Sequence, residues 1–90
     1  MFKTLEELIA VIRQRKDSSA KESYTKKLLD NKKLSVEKVK EEITELIDSI
    51  EKNSNKVHEA ADVLYHLMVL LEANGIKIED VMNELKKRQK

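Results

Sequence analysis

The sequence predicts an all-α fold, on three observations. Of its 90 residues one is Gly and none is Pro, and that near absence of breakers favours long helices over strands and turns. Apolar residues recur at helical spacing: Val36, Val39, Ile43, Leu46, Ile47 and Ile50 fall at i, i+3, i+7, i+10, i+11 and i+14. No stretch alternates polar and apolar residues as a half-buried strand does. The expected architecture is a helical bundle built on an antiparallel helix hairpin and completed by homodimerisation, in one domain over residues 1–90.

The elements follow in order. A first helix is expected from Thr4 to Arg15, with Leu5, Leu8, Ile9, Val11 and Ile12 on its apolar face. Thr4 with Glu7 three residues later fits a capping box. Residues Asp17 to Ser23 are polar and small, and read as a loop; Tyr24 to Leu29 allow one or two helical turns, followed by a polar break from Asp30 to Lys33. A second long helix starts near Ser35, a good N-cap, and ends in Lys52-Asn53-Ser54-Asn55. A third runs from Lys56 to Ala73 and is apolar nearly all round, the signature of a buried helix. Asn74-Gly75 ends it, with Gly75 suited to a left-handed cap. A last helix spans Ile78 to Arg88, with Val81, Met82 and Leu85 facing inward.

Composition narrows the function. Charged residues make up 39% of the chain, yet the formal net charge is only +1. The charges are mixed and do not form a strongly basic domain, which argues against a dedicated nucleic-acid binder with its concentrated positive surface. With no Cys, disulfides and thiolate metal sites are excluded. The most apolar stretch, Val63 to Leu71, is too short to span a bilayer, and Met1 to Val11 reads as an amphipathic helix instead of a secretory signal. A soluble cytoplasmic protein without a membrane or nucleic-acid partner is expected.

The informative feature is a set of carboxylates. Glu41, Glu42 and Glu45 lie within one turn of each other on the second long helix. Glu59 and Asp62 are one turn apart on the third, where His66 falls on the same side. Reversing the chain between the two helices brings both acidic groups within reach of a shared cation. Clustered carboxylates repel one another and stay ionised together only with positive charge among them. All-oxygen ligands favour Mg²⁺, with Mn²⁺ possible, over zinc. Mg²⁺ keeps several waters and binds substrate phosphates, which points to chemistry on a polyphosphate, with one free carboxylate as general base. The bland readings stand beside this one. Glu41, Glu42 and Glu45 alone fit a solvated face. Glu59 fits a charge favoured by the helix dipole, and His66 a satisfied core histidine. Tyr65 fits packing with a satisfied hydroxyl.

Taken together, these residues resemble the phosphoribosyl-ATP pyrophosphohydrolase family of all-α nucleoside triphosphate pyrophosphohydrolases. The signature Glu-Glu-x-x-Glu, followed at a distance by Glu-x-x-Asp, falls on Glu41, Glu42, Glu45, Glu59 and Asp62. Arg15-Lys16 followed by Ser23-Tyr24-Thr25, Lys38-Val39 before the acids, the run Glu59 to Leu71, and Leu85-Lys86-Lys87-Arg88 also resemble it, in the family's order. The chain departs from the family at Asn31, Lys40, Ile43 and Thr44, none of them a ligand position.

The resemblance implies Mg²⁺-dependent hydrolysis of 1-(5-phosphoribosyl)-ATP to 1-(5-phosphoribosyl)-AMP and pyrophosphate, in histidine biosynthesis. It implies Glu42, Glu45, Glu59 and Asp62 as metal ligands, with Glu41 as a further ligand or the general base; Glu42 and Glu45 share the catalytic assignment. Arg15, Lys16 and Lys38 become candidates for phosphate contacts. Ser23 and Thr25 become candidates for phosphate or ribose, although either equally caps the next turn. A homodimer or a dimer of dimers is expected. Two other readings remain: a house-cleaning (d)NTP pyrophosphatase with the same acids, and a helical dimerisation module whose acids are surface decoration.

Overall fold

The computed structural model describes residues 2–17 and 23–89; most of the loop expected between Asp17 and Ser23 lies outside them. The described residues form five helices and no strand: α1 (Lys3–Lys16), α2 (Tyr24–Asp30), α3 (Lys32–Lys52), α4 (Lys56–Ala73) and α5 (Ile78–Arg88). The all-α expectation holds. α3 and α4 pack along their lengths as a hairpin, and α1 and α2 lie against α4. No described helix is long and apolar enough to cross a membrane.

Ile12 from α1, Leu28 and Leu29 from α2, and Met68, Val69 and Ala73 from α4 form the core. Leu5, Leu8, Ile9, Leu34, Leu71 and Ile78 pack around it. The core therefore sits on the C-terminal half of α4. The acidic residues lie towards its other end.

Several boundaries differ from the sequence expectations, each for a local reason. α1 begins at Lys3 with Phe2 in the capping position and no side-chain cap. Thr4 is already inside the helix, where it lacks the extended backbone of an N-cap, so the Thr4–Glu7 box does not form. α3 begins at Lys32, three residues before Ser35. Asn31 caps it, its Oδ1 accepting from the Leu34 amide at 3.1 Å. Asn is as good a cap as Ser, and the lysines after it are good helix formers, so the earlier start wins. Ser35 is instead buried at 1% exposure, with no hydrogen-bond partner for its hydroxyl among the described residues.

The reversal between α3 and α4 rests on two asparagines with positive φ, Asn53 at 54° and Asn55 at 52°; Asn tolerates this conformation better than most residues. At the other end of α4, Gly75 adopts φ 70°. The Ile76 amide donates to the Leu71 carbonyl at 2.9 Å and the Gly75 amide to Glu72 at 3.2 Å, the pair of bonds that closes a Schellman motif. The left-handed role expected for Gly75 is met.

The apolar faces are less covered than their patterns suggest. Met82 and Leu85 of α5 are each 48% exposed, so only Ile78 and Val81 turn inward as a core-facing stripe would. On the hairpin, Ile43, Ile47 and Ile50 of α3 and Val57 and Leu64 of α4 are exposed. α4 is thus not buried all round: the helices of one chain cover its C-terminal half and leave its first turns open. Arg13 clamps the ends of the structure together. Its Nε donates to Glu72 of α4 at 2.7 Å, and its terminal nitrogens donate to Glu79 of α5 at 2.9 and 2.6 Å.

Candidate metal and nucleotide site

The hairpin brings the two acidic motifs together. Glu42 and Glu45 from α3 and Glu59 from α4 each offer a carboxylate oxygen, and the three atoms lie within 4.8 Å of one another. Glu59 also belongs to a second trio, with Asp62 and His58, of the same compactness. Glu59 thus joins both groups. Sequence reading passed over His58; its signal is the one-turn spacing to Asp62, whose Oδ2 lies 3.4 Å from His58 Nε2.

Electrostatics mark the cluster as incomplete on its own. Glu42 Oε2 and Glu59 Oε2 are buried, with no hydrogen-bond partner among the described residues. A buried carboxylate oxygen left without a donor is costly. Burial raises the Glu42 carboxyl above its ordinary value, and the neighbouring charge of Glu45 raises it further. The same two causes, in the same order, raise Glu59. A divalent cation supplies what both lack: positive charge and a partner for bare oxygens. An all-oxygen donor set at this spacing fits a hard cation such as Mg²⁺.

Glu41 stands outside both trios. Its Oε2 accepts from Lys38 Nζ at 3.4 Å, and that hydrogen bond, with the charge behind it, raises the Lys38 ammonium. Lys38 therefore sits one turn from the cluster with a positive charge. Arg15 and Ser23 meet each other, Nη1 donating to Oγ at 2.9 Å, while Ser23 Oγ also accepts from the Lys26 amide as the cap of α2. Lys16 is directed elsewhere. Its Nζ donates to the Glu72 carbonyl at 2.9 Å, roughly 15 Å along the axis of α4 from Asp62.

Thr25 and Tyr24 dock α2 on α4. Thr25 Oγ1 and the Tyr65 hydroxyl share a short hydrogen bond. The Tyr24 hydroxyl lies 2.9 Å from Nε2 of the buried His66. The rings of Tyr24 and Tyr65 stack with centroids 6.3 Å apart. Burial raises the Tyr24 hydroxyl against the pull of Lys38, so it keeps its proton. A separate cavity of about 800 Å³ opens between α1 and α5, lined by Phe2, Leu5, Ile9, Ile78 and Met82, away from the carboxylates.

Comparison with known proteins agrees with this arrangement. The profile of the phosphoribosyl-ATP pyrophosphohydrolase family matches residues 5–89. The chain belongs to that family. Among similar proteins is a phosphoribosyl-ATP pyrophosphatase of Clostridium novyi, 43% identical over 96% of this chain and 81% of that protein. Another from Haloarcula marismortui is 40% identical over 94% of this chain and 92% of its own length. The chloroplastic histidine biosynthesis bifunctional protein hisIE of Arabidopsis thaliana is 43% identical over 94% of this chain. This chain spans 33% of that bifunctional relative, and 41% of another from Pyrococcus furiosus. The hairpin on which Glu42, Glu45, Glu59 and Asp62 gather lies within the matched residues.

Proposed function

We propose that this chain, a single domain over residues 1–90, is a Mg²⁺-dependent phosphoribosyl-ATP pyrophosphohydrolase of histidine biosynthesis. The observation that carries the proposal is the convergence of Glu42, Glu45 and Glu59, two of whose buried carboxylate oxygens find no partner among the described residues. Glu42, Glu45, Glu59 and Asp62 hold the cation, and Mn²⁺ is accepted in its place. A bound cation neutralises charge on phosphate oxygens and lowers the pKa of water. The protein residues do the rest. Lys38, with Arg15, offsets phosphate charge, and Ser23 and Thr25 contribute hydroxyl contacts to phosphate or ribose; Lys16, held at the Glu72 carbonyl, takes no part. Glu41, outside both compact trios, is the acid with room to act as general base or as a further ligand.

The products are 1-(5-phosphoribosyl)-AMP and pyrophosphate, and the setting is the cytoplasm. The protein works as a homodimer or a dimer of dimers. Support for assembly comes from the exposed Ile43, Ile47, Ile50 and Leu64 on the hairpin that carries the acids. A panel of nucleotides assayed for pyrophosphate release tests the substrate. Preference for phosphoribosyl-ATP is expected; preference for an ordinary dNTP would point to a house-cleaning pyrophosphatase instead.

A further inference from the structure

Tyr24 is tied to α4 by a chain of hydrogen bonds whose direction can be worked out. His66 Nδ1 lies 2.8 Å from the backbone carbonyl oxygen of Asp62. A carbonyl oxygen only accepts, so Nδ1 carries the hydrogen. In the neutral ring Nε2 then has a lone pair, and the Tyr24 hydroxyl, 2.9 Å away, must donate to it. A tyrosine hydroxyl has one hydrogen. Once that hydrogen points at His66, the oxygen has only lone pairs for any other neighbour.

The arrangement is packed from both sides. His66 is 6% exposed, and both tyrosine rings meet its imidazole edge-on, at 76° and 85°. Tyr24 itself is 46% exposed. The charges of Lys38, Glu41 and Glu42 on α3 act on its hydroxyl. The hydroxyl is therefore oriented by a buried ring, on a residue that is itself partly exposed, and through His66 it is tied to the turn of α4 that carries Asp62.

We propose that the Tyr24 hydroxyl is an obligate hydrogen-bond acceptor for an O–H donor at this site, and that His66 is the positioning residue that fixes its polarity. The inference rests on the function proposed above. Its chemistry is selective. Two acceptors cannot share a hydrogen bond, so the oxygen turns away phosphate oxygens and receives a sugar hydroxyl of the nucleotide or a water held by the cation. Donation to His66 also makes the oxygen a better acceptor.

Tyr24→Phe keeps the ring stack and removes the oxygen. If the donor is a nucleotide hydroxyl, the KM for phosphoribosyl-ATP rises about tenfold, more than kcat falls, as loss of one ordinary hydrogen bond predicts. If it is cation-held water, the Mg²⁺ concentration for half-maximal activity, or the Mg²⁺ dissociation constant by calorimetry, rises instead. His66→Asn keeps a donor for the Asp62 carbonyl and releases Tyr24, so it gives the same shift. The double variant is no worse than Tyr24→Phe alone. Nitrogen-15 spectra of the His66 ring should show Nδ1 protonated and Nε2 bare, with Tyr24→Phe moving the Nε2 signal. A hydrogen on Nε2, or a Tyr24→Phe variant with both constants unmoved and only a lower melting temperature, overturns the inference. Wild-type protein without turnover would instead sink the functional reading and this inference with it.

Discussion

Replacing Arg13 with Met tests how the helices are held together. The substitution keeps an unbranched apolar stem of similar course and removes only the guanidinium. Arg13 links α1 to α4 through Glu72, whose side chain is 13% exposed, and to α5 through Glu79, which is 59% exposed. The Glu72 bond carries most of the effect, because its carboxylate is left largely buried without a donor. Hydrogen bonds to charged groups contribute about 1.5–3 kcal/mol, and screening of a guanidinium that is 38% exposed reduces this to about 1–2 kcal/mol. For a domain of this size that is a fall of roughly 5–15 °C in melting temperature. The assay is thermal unfolding followed by circular dichroism at neutral pH, in low and high salt. The link to Glu79 adds an acid signature. Arg13 holds the Glu79 carboxyl down to about 2 from an ordinary 4.5. A depressed acid contributes stability above its unfolded pKa, and that contribution is lost as pH falls from about 4.5 towards about 2. Arg13→Met should lose part of this acid sensitivity. A variant melting within about 2 °C of the parent in low salt would refute the clamp.

Three further outcomes are expected. The chain should run at two or four times its 10.5 kDa mass in light scattering, and Ile47→Glu, at a half-exposed aliphatic whose remaining burial is worth about 1 kcal/mol, should shift it towards monomer; a monomeric parent contradicts this. Asn31→Ala should cost about 1 kcal/mol in urea unfolding, whereas Ser35→Ala should be neutral or stabilising because its buried hydroxyl has no partner; the reverse order would restore Ser35 as the cap. In EDTA, the raised carboxyls of Glu42 and Glu59 contribute stability that is present below about 4.5 and lost as pH rises through their folded values. Urea midpoints should therefore favour pH 5 over pH 7, and Glu45→Gln should shrink but not erase the difference, since burial is the larger cause; a flat profile argues against both burial and mutual repulsion.

The hairpin and its acids were legible because both depend on local spacing. Glu42 to Glu45 and Glu59 to Asp62 are each i, i+3 pairs, and a polar Asn-rich break between two periodic helices implies reversal. Gly75 was legible for the same local reason. The start of α3 was not, because Asn31 and Ser35 are both competent caps and the lysines at 32 and 33 resemble a break as much as a first turn. The fate of α5 was hidden for another reason. Periodicity shows which face is apolar, not whether anything covers it, so it points Met82 and Leu85 inward although they lie half-exposed. The Arg13 clamp joins residues 59 and 66 positions apart, a pairing no local pattern encodes. Within the site, the carboxylates were expected to meet, but the His66–Tyr24 bond depends on how α2 docks on α4. His58 lacked a motif to single it out.

Under the function proposed above, carboxylates from α3 and α4 hold the cation that phosphoribosyl-ATP hydrolysis requires. Release of pyrophosphate from phosphoribosyl-ATP should depend on Mg²⁺, and Glu59→Gln, at the residue common to both trios, should abolish it while leaving the helical spectrum intact. Turnover that persists in EDTA, or a Glu59→Gln enzyme as active as the parent, would contradict the account.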